Sequence, residues 1–165
     1  MKKLATLFAG LVLAGGVQAQ DSLADKINEA DTAWILGTWT AATDNGTVEL
    51  SYKWVVKDYV IASHFKAGDS ESHSLIAVDS QSGEVVQTGF DNKGSRSKGT
   101  WGPKGEIPML KMETKTALGE TNRLAVAFRR IDQNNIEAQI FELQEDGTVG
   151  DFSNFNLEFK RKKKE

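Results

Sequence analysis

Apolar residues follow two rhythms along this chain. Leu23, Ile27, Ala30 and Trp34 fall at i, i+4, i+7 and i+11, one stripe of a 3.6-residue period, behind Asp21 or Ser22 as a cap. That spacing predicts a single short helix. From Leu36 onward the period drops to two, with turn residues every 8 to 12 positions, the pattern of an antiparallel sandwich or barrel. Ten strands are predicted, near 35–42, 47–56, 59–66, 71–78, 84–90, 95–101, 107–115, 121–131, 135–143 and 152–160. Asp44-Asn45-Gly46, Gly68-Asp69, Ser82-Gly83, Asn92-Lys93-Gly94, Gly102-Pro103-Lys104-Gly105, Leu118-Gly119, Asn134-Asn135 and Asp146-Gly147 punctuate them; Lys57-Asp58 is a poor turn pair.

Two hairpins can be read for register. A turn at Gly68-Asp69 sets Lys66 opposite Glu71, Ser63 opposite Ser74 and Ile61 opposite Ile76, so charge meets opposite charge and like meets like. A turn at Lys57-Asp58 sets Trp54 opposite Ile61, Tyr52 opposite Ser63 and Leu50 opposite Phe65. Together they place Leu50, Tyr52, Trp54, Val56, Tyr59, Ile61, Phe65, Ile76 and Val78 on one face, the expected interior. Continued alternation adds Phe90, Trp101, Leu110, Met112, Leu124, Val126, Phe128, Phe155, Leu157 and Phe159. Arg130 shares the face of Phe128 and so is either at a rim or paired.

The helix stripe runs into Trp34-Ile35-Leu36-Gly37-Thr38-Trp39-Thr40, where a residue without a side chain precedes a large flat ring. Trp39 either plugs one barrel end or packs as an ordinary residue at a strand start. The fold class that results is all-β: an up-and-down antiparallel barrel of about 8–10 strands, with a short N-terminal helix closing one end. A barrel of that size is filled by side chains or holds one small ligand.

Composition adds an address. Met1-Lys2-Lys3, a 14-residue apolar run Leu4–Val17 and Val17-Gln18-Ala19 read as a signal peptide, residues 1–19, followed by one barrel domain, 20–165, in the periplasm or secreted. The run is shorter than the roughly 20 residues a membrane-spanning helix needs, so no membrane insertion is expected. Of the 20 Lys+Arg two lie in the signal peptide, which holds none of the 23 Asp+Glu, leaving a mature formal charge of −5. That balance disfavours nucleic acid and anionic lipid as partners. Lys160-Arg161-Lys162-Lys163-Lys164 reads as a solvated, frayed end. The chain has no Cys, hence neither a disulfide nor a lipid-modified cysteine. No feature of the sequence sets an oligomeric state.

Signatures of catalysis are missing: there is no Cys nucleophile, no Gly-x-Ser-x-Gly, no phosphate-cradling loop and no His-Glu-x-x-His, so a non-enzyme without a cofactor is expected. Asp91–Gly99 has a phosphate-friendly composition but no strand-loop-helix context, and reads as a hairpin. The register that pairs Lys66 with Glu71 also sets His64 opposite His73, about 5 Å apart at Cβ, with Glu71 on the same outward face; such a pair either shares a metal ion or is simply a surface pair.

Gly37-Thr38-Trp39, behind a short helix and ahead of an up-and-down β pattern, is similar to the Gly-x-Trp opening of lipocalins and the broader calycin superfamily. In those barrels an Arg near the end of the last strand covers the Trp, which implies that role for Arg161 or the stem of Lys160. More closely, the chain resembles secreted bacterial lipocalin-like domains of unknown function that open Leu-x-Gly-x-Trp and continue with Asp-x-x-x-Gly-x-Val, Phe-Asp and Gly-x-Trp. Here those elements are Leu36-Gly37-Thr38-Trp39, one residue tighter, then Asp79-Ser80-Gln81-Ser82-Gly83-Glu84-Val85, Phe90-Asp91 and Gly99-Thr100-Trp101. The resemblance implies a fold and no activity.

An apolar barrel interior points to binding of a small hydrophobic or amphipathic molecule, with Tyr52, Trp54, Ser63, Trp101 and Arg130 as expected lining and mouth. Two alternatives stand beside it. In one, the aromatics fill the core and the protein is an envelope interaction module with an apolar patch on its outer wall. In the other, His64 and His73 bind haem or a metal. Export itself is open to a direct measurement: cleavage after Ala19 leaves Gln20-Asp21-Ser22 at the mature N-terminus, which the intact mass of the exported protein reads out. Recovery of the full-length chain in the membrane would overturn the expectation.

Overall fold

The computed structural model describes residues 21–163, so the signal-peptide reading of residues 1–19 lies outside the described residues. Ser22 starts the first element: its hydroxyl accepts from the Asp25 N–H, and the Asp25 carboxylate accepts from the Ser22 N–H, a reciprocal cap for helix α1, Leu23–Glu29. The apolar stripe predicted one helix through to Trp34, but α1 stops after seven residues. Asp31 takes a left-handed φ of +48°, and the N–H groups of Thr32 and Asp31 close back onto the carbonyls of Ile27 and Asn28. This is the usual glycine stop signal with an aspartate in the glycine's place. A short 3-10 turn, Ala33–Ile35, follows and delivers the chain into the first strand.

Ten antiparallel strands form a closed barrel in which each strand pairs with its neighbours in sequence and the last pairs with the first. They are β1 (Gly37–Thr43), β2 (Gly46–Val56), β3 (Val60–Ala67), β4 (Ser70–Val78), β5 (Val85–Asp91), β6 (Arg96–Lys104), β7 (Ile107–Lys115), β8 (Thr121–Arg130), β9 (Asn135–Glu142) and β10 (Phe155–Arg161). Both registers read from the sequence are present, Tyr52 against Ser63 and His64 against His73 among them.

The sequence reading departs from the structure where the pleat slips. A bulge between Trp54 and Val56 ends the alternation on β2, which leaves Val56 and Tyr59 exposed rather than inward. The β4–β5 connection pairs Val78 with Val85, so Val85, Gln87 and Gly89 face inward while Phe90, expected inside, is 61% exposed. Gly102-Pro103-Lys104, expected in a turn, belongs to β6; the strand pairs Pro103 with Pro108, and Gly105 at φ +61° makes the turn.

Trp39 is fully buried at the helix end of the barrel, in one apolar cluster with Leu23, Ile35, Tyr52, Ile61 and Ile136. Its indole N–H donates to the Ile35 carbonyl at 2.8 Å. The Arg161 guanidinium carbon lies 3.9 Å from the Trp39 ring centroid, while its N–H groups donate to the carbonyls of Leu36, Trp34 and Gln133. Gly37, at φ +126°, has no alternative here, because a Cβ would sit 2.6 Å from Arg161 Nη1. The plug reading therefore holds, and Arg161 is a structural residue rather than part of a frayed tail. Ala24 N–H donates to the Asp58 carbonyl at 3.0 Å, tying α1 to the β2–β3 turn.

On the outer wall Met109, Ala125, Ala127 and Phe141 form a second buried cluster, covered by Leu143 and Val149 of the β9–β10 loop. Elsewhere the outward positions mix charges such as Lys53, Lys98, Lys111 and Arg129 with single exposed apolar residues such as Leu75 and Phe90, unlike the continuous apolar outer band of a membrane-spanning barrel. Among the described residues no helix is long and apolar enough to cross a membrane.

Trp39→Ala should cost about 3–5 kcal/mol, the usual cost of deleting a large buried aromatic, seen as a lowered urea midpoint. A loss under about 1 kcal/mol would contradict the plug.

Candidate functional site

Antiparallel order gives the barrel two ends. The β2–β3, β6–β7 and β8–β9 turns share one end with α1, and the β1–β2, β3–β4 and β7–β8 turns share the other, open one. Between them stand three rings. Trp101 and Phe128 stack at 5.7 Å and 24°, and Tyr52 meets each edge-on at 6.3 Å. Phe128 borders the space towards the open end, Trp101 the space towards the helix, and Tyr52 both.

The open-end chamber has a volume of about 500 Å³ and is lined from all ten strands. Its two walls differ. Strands β3–β6 contribute short polar side chains, among them Ser63, Ser72, Ser74 and Ser97, with Ser95 from the β5–β6 turn. The facing wall is apolar, built from residues such as Leu50, Met112, Val126, Ile140 and Phe159. Among the described residues the chamber is lined by no cation; Asp91 is its inward charge, while Glu71 borders it with a carboxylate turned to the outer wall, 2.8 Å from His64. Hydrogen bonds from the side chain and backbone N–H of Ser95 hold the Asp91 carboxyl below the usual carboxylate range, so it stays an anion. Among the described residues no fully buried side-chain N or O lacks a partner.

The helix-end cavity, about 530 Å³, lies between α1, the barrel face of Ile61, Ile76 and Val85, and the tip of the β6–β7 hairpin. Its size comes from the extension of that hairpin, which carries Pro103 and Pro108 over the barrel end.

The five expected site residues do not converge. Tyr52 and Ser63 face the open-end chamber from directly paired positions on β2 and β3. Trp101 faces the helix-end cavity, with its indole N–H donating to Gln87 Oε1 at 3.0 Å. Trp54 lines neither cavity and packs against the main core. Arg130 is exposed at the helix end of β8, close enough to Arg161 to lower its pKa alongside burial, the larger cause. It shares the parity of Phe128, as expected, but at the end away from the open mouth. Gln87, Ser95 and Ser97 were missed; the β4–β5 register, with Val78 opposite Val85, is the signal that would have put Gln87 inside.

His64 and His73 stand on the outer wall, outside both cavities, with rings stacked at 4.3 Å and 10°. A tetrapyrrole inside the barrel would meet neither imidazole. Their neighbour Glu71 Oε1 lies 2.8 Å from His64 Nε2. Of the outer-wall apolar residues that an interaction module would use, Met109, Ala125, Ala127 and Phe141 are covered by the chain's own β9–β10 loop, while Leu75 and Phe90 are exposed on β4 and β5.

These features define the molecule as a closed ten-strand up-and-down barrel with a ring-partitioned interior. A scan against protein-family models finds no match to the chain, and a search of curated proteins finds none.

Burial drives the Tyr52 phenol well above its ordinary pKa, opposed in part by its hydrogen bond with Ser63. The folded state then holds this proton more tightly than the unfolded chain. The stabilisation is complete below the unfolded value near pH 10 and is lost as pH rises above it. Between pH 10 and 11 wild type should lose about 1 kcal/mol more stability than Tyr52→Phe, measured by urea unfolding. Equal losses in both proteins would mean that the phenol titrates freely.

Proposed function

We propose that this is an exported, lipocalin-like carrier that binds one neutral amphipathic small molecule in the open-end chamber, acting in the periplasm or outside the cell. The observation that carries the reading is the two-walled interior: a cavity of about 500 Å³ with hydroxyls along β3–β6 facing an apolar wall. A solid core would fill such positions with branched apolar side chains, whereas a site for an amphipath needs handles on one side and grease on the other. The kinship with lipocalins is supported by Arg161 lying over Trp39, the cover that the resemblance assigned to an Arg near the end of the last strand.

The charge of the lining selects the head group. An anionic ligand would face Asp91 with no cation to pair with, while a hydroxylated neutral head can donate to Asp91 and exchange hydrogen bonds with Ser72, Ser95 and Ser97. Arg130, expected at the mouth and the one cation among the expected site residues, stands by the helix end. Leu118 and Phe152 are exposed in the loops of the open end, and Phe155 is half exposed at the mouth, where an amphipath would first touch the protein. Export rests on the sequence of residues 1–19.

The test is a calorimetric titration comparing a monoacylglycerol with the free fatty acid of equal chain length. The neutral lipid should bind at least about tenfold more tightly, a difference of about 1.4 kcal/mol. Ser72→Leu, which fills the chamber, should abolish that binding, while Arg130→Ala should leave both affinities unchanged. Tighter binding of the acid, or no saturable binding of either, would overturn the reading.

A further inference from the structure

The outward face of the β3–β4 hairpin carries a cluster that the chamber does not use. Register places His64 directly opposite His73 and Lys66 directly opposite Glu71, one pleat nearer the turn. Glu71 Oε1 lies 2.8 Å from His64 Nε2 and 3.8 Å from His73 Nε2, and no two of the three donor atoms are more than 4.8 Å apart. We propose that His64, Glu71 and His73 form a binding site for a divalent transition metal of the zinc class, held through the two Nε2 atoms and Oε1, with a fourth position open to solvent. The proposal stands apart from the chamber and its ligand.

The geometry is near what the ion requires. Zinc bound at 2.0–2.1 Å in tetrahedral array separates its ligand atoms by about 3.3 Å, and the two nitrogen-to-oxygen distances bracket that value. The remaining adjustment falls on His73, whose ring is stacked on His64 at 10° and must turn out of that stack to aim its Nε2 at the ion, which its 70% exposed side chain has room to do. His64 and Glu71 already share a hydrogen bond at the atoms that would bind, so the metal replaces a proton between them. Two imidazoles and a carboxylate suit zinc, copper or nickel rather than magnesium or calcium, which prefer all-oxygen sets.

The surroundings fix the frame and set the affinity. Asn92 accepts from the Glu71 N–H at 3.1 Å and donates to the Asp69 carbonyl at 2.7 Å, which anchors the start of β4 from the neighbouring β5–β6 turn. Lys66 Nζ lies 3.8 Å from Glu71 Oε2, the carboxylate oxygen that the site leaves free. Its positive charge opposes that of the incoming ion and limits affinity without blocking a donor atom.

Calorimetric titration of the tag-free protein with zinc chloride tests the proposal, with magnesium chloride as control. One zinc per chain should bind and magnesium should not. Loss of a direct ligand in His73→Ala, and of charge in Glu71→Gln, should each weaken zinc by at least the roughly tenfold typical of losing an outer partner. Lys66→Gln should tighten it, an effect that a merely unfolded variant cannot mimic. Because His73 is an exposed side chain on the outer wall, an unchanged urea midpoint for His73→Ala will show that the fold is intact. Zinc affinity indifferent to these substitutions, or no saturable binding below about 1 mM, would overturn the site.

Discussion

The barrel depends on how its two ends of chain are joined. Eight of the ten strands are held by hairpin neighbours that sequence order supplies, but the β1–β10 seam must be closed by residues far apart in the chain, and it pairs only Trp39 with Arg161 and Thr40 with Lys160. A two-pair ladder is weak by itself. Arg161 makes up for it by placing one planar fork on three carbonyls and the Trp39 ring at once, which a lysine's single ammonium point could not do. Lys162 extends the seam, with its N–H on the Thr38 carbonyl and its ammonium 3.1 Å from Glu49. Gly37 is the counterpart of this arrangement: any side chain there would displace the guanidinium.

What could be read from the sequence was whatever local chemistry decides. All ten strands were visible because period-two alternation and glycine-bearing turns are properties of short segments, and the two-residue turn at Gly68-Asp69 fixed its register without help. Reading failed where a longer connection or a bulge changes parity. Phe90 sits after a six-residue loop, and Val56 and Tyr59 follow the bulge at Trp54, so the same alternation continued on the opposite face. Asp31 hid the end of the helix because an aspartate seldom takes the conformation that a glycine would have advertised. For the candidate site the missing information was global. Arg130 has the parity of Phe128, but which end of a barrel is open depends on where the helix lies, and no single strand records that.

The interior itself is a compromise between packing and vacancy. Three rings, Tyr52, Trp101 and Phe128, stand between the chamber and the helix-end cavity, and the Trp101 indole N–H is satisfied inside the layer by Gln87. Small residues then appear where large ones would have been tolerated on hydrophobicity alone. Gly89 is required by the Ser74 hydroxyl, which a Cβ would overlap, and Gly99 by the approach of Leu110, so the emptiness near β5 and β6 is bounded by specific contacts rather than by loose packing.

The same period of two separates the two chemistries of the β3–β4 hairpin. Ser63, Ser72 and Ser74 point into the chamber, while His64, Glu71 and His73, their immediate neighbours in sequence, stand on the opposite side of the sheet. Only a few ångströms of backbone lie between them, yet the pleat keeps the imidazoles out of the cavity and the hydroxyls away from any ion bound outside. An ion held across β3 and β4 would add a cross-link to a pair of strands whose register is already fixed by their turn, so it would stiffen the hairpin without shifting its residues. The chamber wall that carries the hydroxyls is thus the wall an outer metal would brace, through backbone geometry and not through shared ligands.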